Sequence, residues 1–336
     1  MNYLTEVSVL MPVFNGEKYL KESIESILNQ TYNNFEFIII NDGSTDNSLH
    51  IINEYAKKDN RIVVISRKNK GLVYSLNEGL AIAKGEYVAR MDCDDVSMPE
   101  RFGKQVQYME QNREVSIIGT FIQTFGILDE QIKTKYERWF NFKFDTKNIE
   151  EIFLKRCVIC HPSVMMRKKV LQDLNGYSYK YKCAEDYDLW LRAIKKGYKL
   201  AQLEEKLIKY RVHTESKSYK DNQDYSAIKD VINIKLDYVQ NMIGNKNMNY
   251  IIWGAGNGGA IAENILKYRI PNSKLVGYID KYKKGILNNI SIYKPDEIKK
   301  INFDYVFIAT VPGREEAEEY LNKLGLISIK NYIHLI

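Results

Sequence analysis

The first hundred residues alternate between two hydrophobic patterns. Short, near-continuous apolar runs occur at Val7–Val13 (VSVLMPV), Phe35–Ile40, Arg61–Ser66 and Glu86–Met91, as expected of strands buried on both faces of a parallel sheet. Pro12 sits near the end of the first run, where a missing donor matters least. Between the runs, apolar residues recur at helical spacing: Leu20, Ile24, Ile27 and Leu28 within Glu17–Gln30, then Leu49, Ile52 and Tyr55, then Leu72–Ala83. Strand and helix repeat, which predicts an α/β domain with its functional loops at the carboxyl ends of the strands. Farther on, Glu100–Gln111 reads as helix and Ser116–Phe125 as strand. The aromatic-rich Tyr136–Phe144 is a candidate flank for an acceptor.

Three predicted strands end in polar loops, at Phe14–Glu17, Asn41–Asp46 and Asp92–Asp95. In a parallel sheet these loops share one edge. The last of them lies in Gly85–Pro99 (GEYVARMDCDDVSMP), where a strand runs into Asp92, Asp94 and Asp95. Alternate residues point the same way, so Asp92 and Asp94 can converge on one point. Crowded carboxylates repel unless a cation separates them. Mg²⁺ or Mn²⁺ is the natural occupant, with a phosphate completing its shell. A solvated acidic turn explains an isolated Asp-x-Asp as well, but three loops on one edge suit a nucleotide diphosphate held through a metal.

Composition changes this picture little. The chain has 336 residues, 45% apolar and 27% charged, which is room for two domains with a substantial core. The net charge of +6 is modest and is not read as a nucleic-acid footprint. It allows, without requiring, a resting contact with an anionic membrane surface. No leader-like segment opens the chain and no apolar stretch is long enough to span a bilayer. The expectation is a cytoplasmic protein, at most lying on the inner face of a membrane. Cys157-Val-Ile-Cys160-His161 matches the haem-attachment pattern, but the apolar run after it suits a buried strand better. Cys93, Cys157, Cys160 and Cys183 are expected to be reduced and unpaired.

VSVLMPVFNGEKYLKESIESILNQTYNNFEFIIINDGSTDNS, followed by ARMDCDDVSMPERF, resembles the nucleotide-binding half of family 2 glycosyltransferases with the GT-A fold. The likeness is dense over about the first hundred residues and looser to about Ser218. It implies that Pro12, Val13, Phe14, Asn15 and Asp42 hold the nucleoside, with Asn69, Lys70 and Gly71 beside it. It also implies that Asp92 and Cys93 lie against the donor and that Asp94 is the direct ligand of Mn²⁺ or Mg²⁺. The donor so implied is a nucleotide-diphosphate sugar of the UDP type, and the acceptor is a saccharide or lipid-linked glycan hydroxyl in surface polysaccharide synthesis. One departure stands out. Many members carry an arginine before the asparagine of the third helix, where this chain has Leu76-Asn77. Arg90 and Lys70 are then the candidate cations for the diphosphate.

The second acidic cluster, Cys183-Ala184-Glu185-Asp186-Tyr187-Asp188-Leu189-Trp190, opens an amphipathic helix. Acids at a helix start complement its dipole and by themselves need no catalytic role. The resemblance implies that Asp186, beside Glu185, is the general base of an inverting transfer. Trp190 and His161 are expected near the acceptor, and His213 at the metal or diphosphate.

Lys217–Asn249 reads as a polar, helix-prone connector packed on the first domain. Beyond it, MNYIIWGAGNGG gives a strand, then Gly254-x-Gly256-x-x-Gly259, then a helix. Leu275–Ile279 ends in Asp280, at about the distance expected of a ribose-binding acid. The expected organisation is a GT-A domain over 1–216, a helical connector over 217–247 and a small Rossmann-like α/β domain over 248–336. The last resembles nucleotide-binding-like domains of other bacterial polysaccharide-biosynthesis proteins. Ligand binding and packing or homo-oligomerisation are both open roles for it. Two rival readings of the whole chain remain: a bifunctional protein with NAD-dependent sugar chemistry in its second domain, and a non-catalytic sugar-nucleotide binder used for assembly.

Overall fold

The computed structural model describes residues 6–126, 129–244 and 246–336. The chain divides into two compact units, one comprising residues up to Ile149 together with Cys157–Tyr219, the other Glu150–Arg156 together with Lys220–Ile336.

In the first unit the order is β1 (Val7–Val13), α1 (Leu20–Leu28), β2 (Phe35–Asn41), α2 (Ser48–Ala56), β3 (Ile62–Ser66), α3 (Leu72–Ile82) and β4 (Tyr87–Arg90). β5 (Val96–Ser97), α4 (Arg101–Gln111), β6 (Val115–Gly126) and α5 (Glu130–Phe140) follow, while α6 (Ile149–Lys155) belongs, after its first residue, to the second unit. Then come β7 (Met165–Arg167), α7 (Lys168–Asp173), α8 (Glu185–Lys195) and β8 (Lys199–Val212). The sheet runs β3-β2-β1-β4-β7-β6-β8-β5. β1 to β4 are mutually parallel, and every residue of β1 and β2 is buried, which is what their unbroken apolar runs require.

The far half of the sheet is mixed. β7 is antiparallel to both β4 and β6, and β6 is parallel to β8. Two reversals restore the direction, so β8 points the same way as β4. Residues following β8 therefore reach the edge that carries Asp92. The core packs around Val9, Met11, Phe37, Ile39, Tyr87, Ala89 and Phe102. The aromatics of α5 pack on β8, with Tyr136 and Phe140 both beside the ring of Tyr210. No disulfide forms: all four cysteines are free, and Cys160 is buried immediately before the turn His161–Ser163.

α9 (Lys217–Gln223) crosses from the first unit into the second, and α10 (Ser226–Ile243) lies wholly in the second. The helix expected as a connector packed on the first domain is thus part of the second unit's own packing. There Arg269 bonds Asn233, Asp237 and Gln240 on one face of α10. β9 (Asn249–Trp253), α11 (Asn257–Arg269), β10 (Lys274–Ile279), β11 (Gly285–Leu287), β12 (Ile290–Tyr293), β13 (Tyr305–Ile308), α12 (Arg314–Lys323) and β14 (Tyr332–His334) complete the unit. Its sheet order is β11-β12-β10-β9-β13-β14, parallel except for β11. Among the described residues no helix is long and apolar enough to cross a membrane.

Candidate active site

The loops after β1 and β2 are bonded to each other. Asn15, held at a positive φ of 53°, accepts from Thr45 N at 2.8 Å, and its own N–H donates to Ser44 Oγ at 3.0 Å. Gly16 N donates to Ser48 Oγ at 2.9 Å and Glu17 N to Asp46 at 3.0 Å. Pro12 and Val13 are buried in the sheet and contribute through backbone: Val13 O accepts from Asp42 N at 2.8 Å. Phe14 instead stands 52% exposed at the end of β1, a flat face on which a planar group could stack.

Asp42 is buried. Its carboxylate accepts from Lys70 N at 2.7 Å and Gly71 N at 2.9 Å and pairs with Arg67. That locks the β3–α3 loop, with Asn69 and Lys70 exposed, beside the β2 loop. Gly43 makes this closeness available. At φ 73° it is left-handed, and a β-carbon there would stand 2.5 Å from Asn69 N.

After β4, oxygens of Asp92, Asp94 and Asp95 all lie within 4.8 Å of one another. Arg90 is enclosed beneath and paired with Asp92. Burial opposes the charge on Arg90; Asp92, with Tyr177 and Glu185, more than offsets it and the guanidinium stays protonated. Burial and the neighbouring Asp94 hold the Asp92 carboxyl above the usual range against the pull of Arg90. Asp95 is pushed up strongly by burial and by the charges of Asp94 and Asp92, and its Oδ2 has no hydrogen-bond partner. Burial likewise raises the Cys93 thiol, whose sulfur packs against Gly16.

His213 follows β8 to this edge, as the strand directions require. Its Nε2 lies 2.9 Å from Asp94 Oδ2, its ring packs against Tyr19 at 5.1 Å, and its Nδ1 is buried without a partner. Arg211, two residues earlier, bonds the acidic loop twice: its N–H donates to Asp95 Oδ1 at 2.8 Å and its Nε to Asp94 O at 2.7 Å. Its guanidinium lies between the rings of Tyr19 and Phe125 at 4.2 and 4.1 Å.

The acceptor-side acids sit at the start of α8. The loop leading to them is fixed by Asn77, which bonds Tyr177 O at 2.8 Å and Tyr177 N at 2.9 Å, and by Arg192, which bonds Leu174 O and Gly176 O. Leu76, where an arginine is absent, is a core residue with no exposure. Glu185 is buried, its carboxyl pushed up to about 7 by burial and Asp186 against the pull of Lys217. Its Oε2 has no hydrogen-bond partner and lies 3.7 Å from Lys217 Nζ. Burial also raises Asp186, which is partly open and accepts from Tyr187 N at 2.8 Å. His161 Nδ1 is 3.8 Å from Glu185, and His161 Nε2 meets Tyr177 Oη at 2.9 Å. Burial keeps that imidazole neutral. Arg90 and Lys217 each act on Asp92, Glu185 and Asp186, so the two acid clusters share one electrostatic environment.

Trp190 departs from expectation. It has no exposed surface and packs edge-on to His161 at 6.0 Å, so its face is in the core and presents nothing to an acceptor. The helical stripe Leu189, Trp190 and Ala193 turned it inward. Two residues that the sequence did not single out join the site. Arg211 is two before His213 on a strand, and this spacing was the available signal. Lys217 carried none in a chain so rich in lysine.

In the second unit, Gly254 sits at φ 118° and Gly256 faces open space. Gly259 has a packing reason, because a β-carbon there would meet Gly254 O at 1.9 Å. Asp280 is already engaged: Oδ2 accepts from Ala255 N, and Oδ1 from Tyr282 N and Lys283 N, all at 2.9 Å. Burial pushes its carboxyl up, and these three N–H groups bring it below the usual range.

Residues 8–174 match the family model "Glycosyl transferase family 2", and residues 246–331 match "C2185-like, N-terminal". The O-antigen biosynthesis glycosyltransferase WbnJ of Escherichia coli is 36% identical over 220 residues, which span 64% of this chain and 83% of WbnJ. Among solved structures, S. aureus TarS 1–349 in complex with UDP-GlcNAc superposes with a TM-score of 0.54 at 20% identity, covering 70% of this chain and 67% of TarS 1–349. The mannosyltransferase PcManGT from Pyrobaculum calidifontis, in complex with GDP-Man and Mn²⁺, gives 0.53 at 14% identity over 81% of this chain and 73% of PcManGT. These two likenesses establish the fold, GT-A. With the family model, the identity to WbnJ and the acid cluster after β4 in agreement, the chain belongs to glycosyltransferase family 2.

Proposed function

We propose that the protein is an inverting, metal-dependent glycosyltransferase that moves a sugar from a nucleotide-diphosphate sugar to a hydroxyl of a saccharide or lipid-linked glycan in surface polysaccharide synthesis. The observation that carries this reading is the meeting of the acids after β4 with His213, while Glu185 and Asp186 feel the charge of the same buried Arg90 that pairs with Asp92. A UDP-sugar is the first donor to test, supported by the likeness to the UDP-GlcNAc complex; the GDP-Man complex makes a GDP-sugar the second. The name of WbnJ supports the polysaccharide role.

Hard carboxylate oxygens, one imidazole nitrogen and an unpartnered buried oxygen on Asp95 fit Mg²⁺ or Mn²⁺. Asp94 and His213 would hold such an ion with Asp92. When bound, the ion neutralises charge on the departing diphosphate. The protein's own groups do the rest. Phe14 and the exposed Asn69 and Lys70 receive the nucleoside on loops that Asp42 braces, and Arg90 fixes Asp92. The acceptor oxygen bonds to the anomeric carbon as the bond from that carbon to the diphosphate oxygen breaks. The electron pair leaves with the diphosphate, and the acceptor's proton passes to Asp186. One displacement needs no covalent enzyme nucleophile and inverts the centre.

The test is release of sugar from a panel of UDP- and GDP-sugars with Mn²⁺ or Mg²⁺, by wild type and by Asp94→Ala. The variant is expected to lose about 100-fold or more of the metal-dependent turnover. Wild-type inactivity towards every donor and acceptor would favour a non-catalytic binder.

A further inference from the structure

We infer that Arg211 is a positioning residue for the metal: from the end of β8 it holds the carboxylate of Asp94 against the imidazole of His213, the pair that would take the ion. The inference rests on the metal reading above. The acids after β4 crowd within 4.8 Å and push one another apart, so the loop that carries them must be tied down. Asp92 is held by Arg90, and the backbone of Asp95 by Ser23, whose Oγ donates to Asp95 O at 2.6 Å. Asp94 is held by Arg211, whose Nε donates to Asp94 O at 2.7 Å. The main-chain N–H of the same residue donates to Asp95 Oδ1 at 2.8 Å. One residue thus grips two successive acids. Two positions later the chain supplies His213, whose Nε2 lies 2.9 Å from Asp94 Oδ2.

The guanidinium is fixed in its turn. It lies between the rings of Tyr19 and Phe125, at 4.2 and 4.1 Å, and pairs with Glu22; its side chain is 11% exposed. Phe125 is its register partner across the β6–β8 pair. Tyr19 also packs against the ring of His213 at 5.1 Å, so one aromatic ring touches both the residue that holds Asp94 and the imidazole that meets it. A planar cation stacked on two faces keeps the direction of its Nε–H. Lysine has the charge but neither the plane nor that donor, so it cannot take the same place. A group that orients a metal ligand in this way acts on the affinity for the metal, whereas a plain brace of the fold acts on stability alone.

The experiment measures calorimetrically the affinity of the full chain for UDP and GDP, with and without Mn²⁺, as wild type, Arg211→Met and Arg211→Lys. Electron paramagnetic resonance records the bound Mn²⁺, and thermal melts check that the variants fold. In Arg211→Met the gain in diphosphate affinity brought by Mn²⁺ should fall by about tenfold or more, while affinity without Mn²⁺ is unchanged. Arg211→Lys should recover little of the gain, and the bound-Mn²⁺ spectrum should change in both variants. Should Arg211→Met fail to fold, Arg211→Lys carries the test on the same terms, because it keeps the charge and the stem. Three results overturn the inference: a Mn²⁺ gain unchanged in a folded variant, equal losses with and without Mn²⁺, or full recovery in Arg211→Lys. Absence of any Mn²⁺ gain in wild type removes the metal reading and this inference with it, and is told apart because no variant is involved.

Discussion

Glu185 and Asp186 are adjacent in sequence yet differ in what surrounds them. Glu185 is enclosed, with a carboxyl raised from 4.5 to about 7, while Asp186 is partly open at the same helix start. A carboxyl whose folded pKa lies above its unfolded value binds its proton more tightly when folded. Its contribution to stability is therefore present at low pH and falls as pH rises from about 4.5 to about 7. The drop amounts to about 3 kcal/mol if Glu185 alone is responsible. Glu185→Gln should remove that slope in urea melts across this range and be the more stable protein at pH 8. Asp186→Asn should behave otherwise: kcat lower by about 100- to 10,000-fold with donor affinity nearly intact. Transfer persisting within a few-fold would put the base elsewhere. Because burial raises both acids, transfer should increase as pH rises towards neutrality, the direction in which the base loses its proton.

The elements that hold these side chains are loops braced by backbone donors, and the tightest brace passes through Gly43. Alanine there must adopt φ 73° and place a methyl 2.5 Å from Asn69 N. Gly43→Ala should therefore cost more than about 1 kcal/mol in a denaturant melt, and it should weaken UDP binding because Asp42 and Gly71 move with that loop. The strands on either side were legible because β1, β2 and β4 are buried on both faces and so had to be apolar without a break. β8 was not legible: KLAQLEEKLIKYRV has an exposed charged stretch at Glu204–Lys206 that breaks any alternation. Without β8 the sequence could name His213 but not explain how it reaches Asp94. The acids at Asp92–Asp95 and Glu185–Asp186 were legible as chemistry, since crowded carboxylates need a reason. Trp190 was not, because an inward helical stripe and an acceptor platform have the same letters. Nor was Lys217, brought to 3.7 Å from Glu185 by the fold and by nothing in the local sequence.

At the scale of the molecule, the two units pose different questions, because the glycine turn of the second has a fold-level explanation that the acids of the first do not. Gly259 is needed for close packing on Gly254, and Asp280 is spent on three backbone N–H groups of the turn and its own loop. A ribose hydroxyl would have to compete with those bonds. We expect Asp280 to be a brace, so that Asp280→Ala lowers the stability of the second unit by about 2–3 kcal/mol. UDP affinity at the first unit should stay as in wild type. NAD titrated into either protein should give no heat. Calorimetric scanning of wild type and variant, paired with UDP and NAD titrations, measures all three. Heat from NAD in wild type, abolished in Asp280→Ala, would instead mean that the carboxylate is released to a dinucleotide and would restore the bifunctional reading. The brace also predicts how the turn fails: without Asp280, Ala255 N in the partly buried turn loses its acceptor, so amide exchange should rise first at Ala255, Tyr282 and Lys283 and leave β9 and β13 protected.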